Sequence, residues 1–343
     1  MASFKTLQPS DFVISSDSVS GTLWSTGNPT LTTFFTSSIQ AASSAGDYYT
    51  SVYQTGSGEL SAAIQFDIAY ANADGSGSLL FDSAVNGQSP TRSLYGQYRN
   101  LVLEDENAQF VFGGVTQSDF YVLNFERAQY KQELFLGSFN LRLTGSAANR
   151  KLDLTDNSLE TTVVQYNGAG RVYQLISGSD GTADTQLNSN GYTTDSGSYG
   201  LLLPDIGVAL LNAKALDLTQ QQGIVLNTSR NSNVDDNNAS KLFAVIGGGG
   251  SGSFGLNSQE TISSDFIFVR AQNQEFNYSE NPSFISGSSG EVLFQSFINN
   301  PQTYATTVGL YNDTNDLVAV AKLSRPLEKD FTKETLVRIK LDF

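Results

Sequence analysis

The chain has no cysteine and no histidine. Without thiols there is neither a disulfide framework nor a thiolate nucleophile. Without imidazole, the usual proton carrier at neutral pH and the commonest metal-bound nitrogen are missing. Ser-His triads, cysteine nucleophiles and zinc sites are excluded, and only carboxylate, Ser-Lys or tyrosine chemistry stays open. Basic residues are scarce too: 19 Lys and Arg face 34 Asp and Glu, a net charge of −15 that repels phosphate backbones and anionic headgroups alike. Nucleic-acid binding is not expected. No run of about 18 apolar residues occurs, and the opening MASFKTLQPSDFVISS lacks the apolar stretch of a signal peptide. Neither a membrane span nor secretion is expected, and synthesis is placed in the cytoplasm.

Charge of either sign is sparse, at 15 % of residues against roughly 25 % in an average domain. What fills the space is aromatic and small: 22 Phe, 15 Tyr and 31 Gly, with many Ser, Thr and Asn. That composition suits strands joined by many turns. At 343 residues the chain is long enough for one large or two medium domains with a substantial core.

Period-two patterning supports β structure. In Val337-Arg-Ile-Lys-Leu-Asp-Phe343 the odd positions are apolar and the even ones charged, one face buried and the other wet. Upstream, TTVGLYNDTNDLVAVAKL sets the turn-forming Asn312–Asp316 between two apolar runs, the pattern of a β-hairpin with a four- to five-residue loop. Further strands are expected at 78–81, 109–112, 120–125, 134–143, 161–166, 172–176, 223–226, 242–246 and 264–270. Helices are expected at 31–45 and, briefly, at 127–134, while the apolar run 206–216 fits either period. The stretch 145–156 and the Gly- and Ser-rich stretch 247–253 suggest boundaries. The fold class is therefore mainly β, with two or more β-sandwich-like parts and a few short helices. The expected division is an N-terminal β-rich domain over 1–145, a Gly/Ser/Asn-rich middle region over 146–253 and a C-terminal β domain over 254–343.

No motif for a cofactor or metal emerges, and none is expected to bind. Gly247–Ser253 lacks the Lys-Ser/Thr of a phosphate loop. The oxygen-rich stretches 231–238 and 312–316 lack the spacing of an EF-hand, and Asn and Asp are ordinary turn residues. Glu104, Asp105, Glu106 and Asp119 offer carboxylates for glycoside hydrolysis, but in a chain with 34 acids some such set always arises. The segment EFNYSENPSF stands out, crowding three aromatic rings around Asn277, Asn281 and Pro282 after an apparent strand end. Arg270, Asn273, Glu275, Phe276, Asn277, Tyr278, Asn281, Pro282 and Phe284 read either as protein-interface anchors or as a loop stapled to its own domain. Arg325, Lys329 and Lys333 gather positive charge that would suit an acidic neighbour, or simply solvate a connection between strands.

Several stretches resemble virion structural proteins of large contractile-tailed phages that infect marine cyanobacteria and related bacteria. They are SGTLWSTGNPTLTTFFTSS (20–38), QFDIAYANADGSGS (65–78), SPTRSLYGQYRNLVLEDEN (89–107), SDFYVLNFERAQYKQELFLGSFNLRL (118–143), RAQNQEFNYSENPSF (270–284) and 303–343. The resemblance is thin between about 180 and 245 and strongest at the C-terminal block. It implies a tail component of the virion near the baseplate, present in multiple copies and partnered by other tail or baseplate proteins, with no catalytic residue to carry over. A receptor-binding or polysaccharide-degrading tail protein, and a neck or capsid decoration protein, are the alternatives. The fibre repeats or β-helical repeats usual for the first two are not visible.

Overall fold

The computed structural model describes residues 4–37, 49–75, 91–145, 150–184, 190–219, 223–230, 237–247, 251–279 and 281–342. In chain order the elements are β1 (Phe12–Thr22), β2 (Thr30–Leu31), β3 (Tyr49–Tyr53), β4 (Ile64–Asn72), α1 (Thr91–Leu103), β5 (Phe110–Phe112), β6 (Val115–Gln117), β7 (Asp119–Phe125), β8 (Glu133–Leu134), β9 (Asn140–Thr144), β10 (Lys151–Asp156), β11 (Gln165–Asn167), β12 (Gly170–Ser179), β13 (Thr182–Ala183), β14 (Gly200–Leu203), β15 (Val208–Asn212), α2 (Ala213–Asp217), α3 (Asn237–Gly247), β16 (Ser253–Gly255), β17 (Asn257–Ala271), α4 (Gln295–Asn299), β18 (Thr303–Tyr311), β19 (Leu317–Lys329) and β20 (Thr335–Asp342). The protein is mainly β, with few and short helices. The chain divides into two units, Val19–Glu260 and Met1–Ser18 with Thr261–Phe343. The sequence-based division differs: position 145/146 lies in the connection of the β9–β10 hairpin, and 253/254 lies inside β16, a strand of the same sheet.

In the Val19–Glu260 unit a large antiparallel sheet runs β2-β16-β9-β10-β12-β14-β15-β7-β4-β3. Phe254 on β16 and Phe66 on β4 are seven strand steps apart along that path, roughly 34 Å if the sheet were flat. Their rings are 5.5 Å apart. The sheet therefore bends back on itself like a sandwich. Trp24 sits between its arms, 5.2 Å from Phe254 and 6.1 Å from Phe66, with Phe125 and Phe139 completing the cluster.

The central strands are buried on both faces. Phe66, Ile68, Tyr70, Tyr121, Leu123, Ala209 and Leu211 join the interior between the arms. Their alternates Ala69, Ala71, Phe120, Val122, Val208 and Leu210 pack outward under α1 and the β5–β6 hairpin. Helix α1 presents Leu94, Tyr95, Tyr98 and Val102 at helical spacing, and the alanines of β4 let it approach closely. On the interior side α3 inserts Ala239, Leu242, Val245 and Ile246.

Other expectations need correction. Residues 242–246 are helical, because a short apolar run does not distinguish the two periods and here only every third or fourth residue is fully buried. Residues 223–226 form no strand: Val225 has φ 54°, a left-handed conformation no strand accommodates. The stretch 134–143 breaks at Gly137 (φ 77°), whose N–H donates to both carboxylate oxygens of Asp156. Of 161–166 only the end is in a strand, and 127–134 supplies one 3-10 turn at Arg127–Gln129. Residues 31–37 are not helical, and 38–45, like the expected strand at 78–81, lie outside the described residues.

The turn joining β14 to β15 is fixed by charge. Arg171 donates from its backbone N–H to Asp205 Oδ2 at 2.8 Å and from Nε to Oδ1 at 2.9 Å, while its other arm meets Glu133. Burial pushes the Asp205 carboxyl up, but the hydrogen bonds and charge of Arg171 outweigh it, and the net pKa lies below the ordinary value. A carboxyl depressed in the folded state contributes stability above its unfolded pKa, about 3.9, and loses it as pH falls through the folded value. Between about pH 4 and pH 2 the wild-type unit is thus expected to lose stability more steeply than an Asp205→Asn variant. Denaturation followed by the fluorescence of Trp24, the chain's one tryptophan, checks this. Equal slopes would contradict it.

In the other unit, Ser264–Ala271 of β17 pair antiparallel with Thr335–Asp342 of β20, and β1 flanks β17. The expected alternation holds: Ile339 is buried, Val337 and Leu341 half-buried, and Leu336, Arg338 and Lys340 exposed. Phe343 lies outside the described residues. β18 and β19 form the expected hairpin with a five-residue loop at 312–316.

Candidate interaction site

After β17 ends, the chain turns through Gln272–Glu275 and reaches Phe276 at φ 56°. For a bulky residue that is a genuine outlier, kept only where its surroundings over-determine it. Here they do. Thr303 Oγ1 donates to the Phe276 carbonyl at 2.6 Å, and the next residue, Asn277, is buried. Lys329 reaches in from the end of β19, and its buried ammonium donates to Asn273 O, Asn277 Oδ1 and Asp330 O, each at 2.9 Å. Asn277 Nδ2 closes the ring on Asn273 O at 2.7 Å. All three ammonium protons have acceptors, so the cation is tolerated without a carboxylate partner. Lys5 Nζ meets Glu275 Oε2 at 2.7 Å, and that hydrogen bond, with one from the Gln272 N–H, holds the Glu275 carboxyl below its ordinary pKa.

The structure thus gathers Asn273, Glu275, Asn277 and Lys329 into a staple. Phe284 packs its ring against Phe297 at 5.5 Å and Phe294 at 6.1 Å, and Asn281 Oδ1 accepts from Ser283 N. Tyr278, Pro282 and Arg270 face outward, Tyr278 at 58 % exposure. Arg325, Lys329 and Lys333 do not share one positive surface: Arg325 is exposed, Lys329 is buried, and Lys333 is engaged by Glu328 at 3.2 Å and Asp330 at 3.6 Å. Lys5 and Phe4, whose ring meets Tyr311 at 5.1 Å, are partners that the sequence reading missed.

Replacing Lys329 by methionine keeps the stem and removes three donors. The terminal unit is expected to lose about 2–3 kcal/mol, the scale of hydrogen bonds to a charged group. Amide exchange over 273–284 is expected to accelerate, with α1 and β7 unchanged. Unchanged exchange at the loop would show that the ammonium does not hold it.

The oxygen-rich loop 312–316 spends its side chains on itself. Asn312 Oδ1 accepts from Thr314 N, Thr314 Oγ1 and Asp316 N, and Asp316 Oδ2 accepts from Thr314 Oγ1. Residues 231–236 of the other oxygen-rich stretch lie outside the described residues. Among the acids weighed for hydrolysis, Glu104, Asp105 and Glu106 are exposed just after α1, whereas Asp119 is fully buried. Asp119 Oδ2 takes a hydrogen bond from Tyr70 at 3.1 Å and an ion pair from Arg230 at 2.9 Å, and Arg230 also meets Asp217 at 2.8 Å. One guanidinium shared by two carboxylates ties β7 to the end of α2.

The larger feature of the terminal unit is what stays uncovered. Of the buried apolar side chains among the described residues, only Ile267 and Ile339 belong to it. Its exposed apolar side chains include Ile14 at 75 %, Val318 at 68 % and Ile298 at 64 %. β18 and β19 form a two-stranded sheet by themselves, with Val320, Tyr304 and Tyr311 also exposed. Isolated two-stranded hairpins are marginal in water.

Compared with protein-family models, curated proteins and solved structures, the chain finds no match. Among the described residues no helix is long and apolar enough to cross a membrane.

Proposed function

We propose that this protein is a structural subunit that works by stoichiometric protein–protein assembly, without catalytic turnover, in a contractile phage tail at or near the baseplate. One observation carries the assembly role: among the described residues, the unit formed by Met1–Ser18 and Thr261–Phe343 has two buried apolar side chains and a long hairpin to which no third strand pairs. Such a unit gains its stability by covering that surface with neighbouring subunits. The sequence resemblance supplies the particle, and the net charge of −15 favours protein neighbours over nucleic acid. Peptide mass spectrometry and antibody labelling of purified particles from a phage encoding this chain test the reading. A fixed copy number at the tail is expected. Absence from finished particles, or turnover of host-surface polysaccharide by the purified protein, would overturn it.

A further inference from the structure

We infer that the exposed edge of β18 is a self-association edge, where a second copy of this chain adds its own β18 antiparallel about a two-fold axis. The inference rests on the assembly reading above and names the partner at that surface.

Among the described residues, β18 pairs on one side only, with β19. Its sequence TYATTVGLY contains no charge and no proline. That is unusual for an edge, because soluble proteins guard open edges with charges, prolines or bulges. The other strands of this unit carry such residues: Asp17 in β1, Asp265 and Arg270 in β17, Lys322, Arg325 and Pro326 in β19, and Arg338 and Lys340 in β20. The edge without charge or proline is thus confined to β18, where Tyr304–Thr307 are exposed in a row and the ladder to β19 is irregular between Ala305 and Thr307.

Charge selects the occupant and the direction. Two copies that each carry −15 repel wherever carboxylates meet, and a neutral strand is where they approach without placing like charges opposite each other. Antiparallel pairing centred near Thr307 sets Tyr304 against Leu310 and Thr306 against Val308, aromatic and β-branched pairs that favour a ladder. It also puts the two acidic turns, each with Asp313 and Asp316, at opposite ends of nine-residue strands, about 30 Å apart. That is well beyond a Debye length of about 8 Å. Parallel pairing would bring those turns side by side. The four-stranded sheet β19-β18-β18-β19 would then reach the size at which a β structure becomes self-supporting.

Thr306 tests the edge. It is exposed, and the ladder to β19 shifts register between Ala305 and Thr307, so residue 306 is paired with no residue of β19. Sedimentation equilibrium of the full-length chain is run on wild type, Thr306→Glu, Thr306→Lys and an equimolar mixture of the two variants, with circular dichroism confirming an unchanged fold. The wild type is expected to self-associate at micromolar concentration. Each variant alone is expected to weaken association about threefold or more, since the two introduced like charges become same-face diagonal neighbours across the two-fold, about 7 Å apart, and the mixture is expected to restore it. A wild type that stays monomeric, variants that associate as tightly as wild type, or a mixture that stays dissociated would each overturn the proposal. A monomeric chain that is nonetheless built into particles would remove self-pairing and leave the assembly role standing. A self-associating chain missing from particles would do the reverse.

Discussion

Replacing Phe254 by alanine is expected to destabilise the Val19–Glu260 unit by about 3–5 kcal/mol, the range for truncating a fully buried phenylalanine. Phe254 is 0 % exposed, and its ring lies within 6 Å of Trp24, Phe66, Phe125 and Phe139. Those partners come from both arms of the bent sheet, so the cavity would open where the arms face each other and neither arm could collapse into it alone. Urea denaturation read by Trp24 fluorescence gives the value, with Leu159→Ala as a comparison whose exposed side chain predicts a change within about 0.5 kcal/mol. A loss below 1 kcal/mol for Phe254→Ala would mean the arms do not depend on this contact.

The second large effect is expected at Arg230. Removing its guanidinium leaves the buried Asp119 carboxylate with the Tyr70 hydroxyl on Oδ2, and breaking a buried pair on one side typically costs about 3–5 kcal/mol. Arg230 is itself partly exposed, so the lower end applies. The discriminating comparison is the double variant Arg230→Met with Asp119→Asn. If the uncompensated carboxylate causes the loss, neutralising it returns part of the stability; if lost packing by the arginine stem causes it, the double variant is at least as unstable as the single.

How much the sequence disclosed follows from where water lies. LVRIKLD in β20 alternates because one face is wet, and the structure keeps that phase. DFYVLNF and VALLN are buried on both faces, so they lose alternation and read as undivided apolar runs. The ambiguous stretch 206–216 proves to be both: strand to Asn212, whose side chain then accepts from Lys214 N and Ala215 N and starts α2. Helix α1 escaped notice because its buried face is built from tyrosines and a threonine as much as from aliphatics. At the candidate site, EFNYSENPSF was recognisable as a special loop from its composition. That Lys329 is its anchor was not, since the acceptors lie 52 and 56 positions away in the chain. The unguarded character of β18 was written plainly in nine uncharged residues, but it gained meaning only once the strand proved to have an open side.

The terminal unit draws on both extremes of the described chain: Lys5 reaches Glu275, and β17 receives β20 only through residues 335–342. A ribosome must therefore release residues 335–342 before this unit can close, long after Val19–Glu260 has emerged. Chains stopped before residue 335 lack the strand that completes this unit's sheet, and cannot close it whatever the state of the Val19–Glu260 unit.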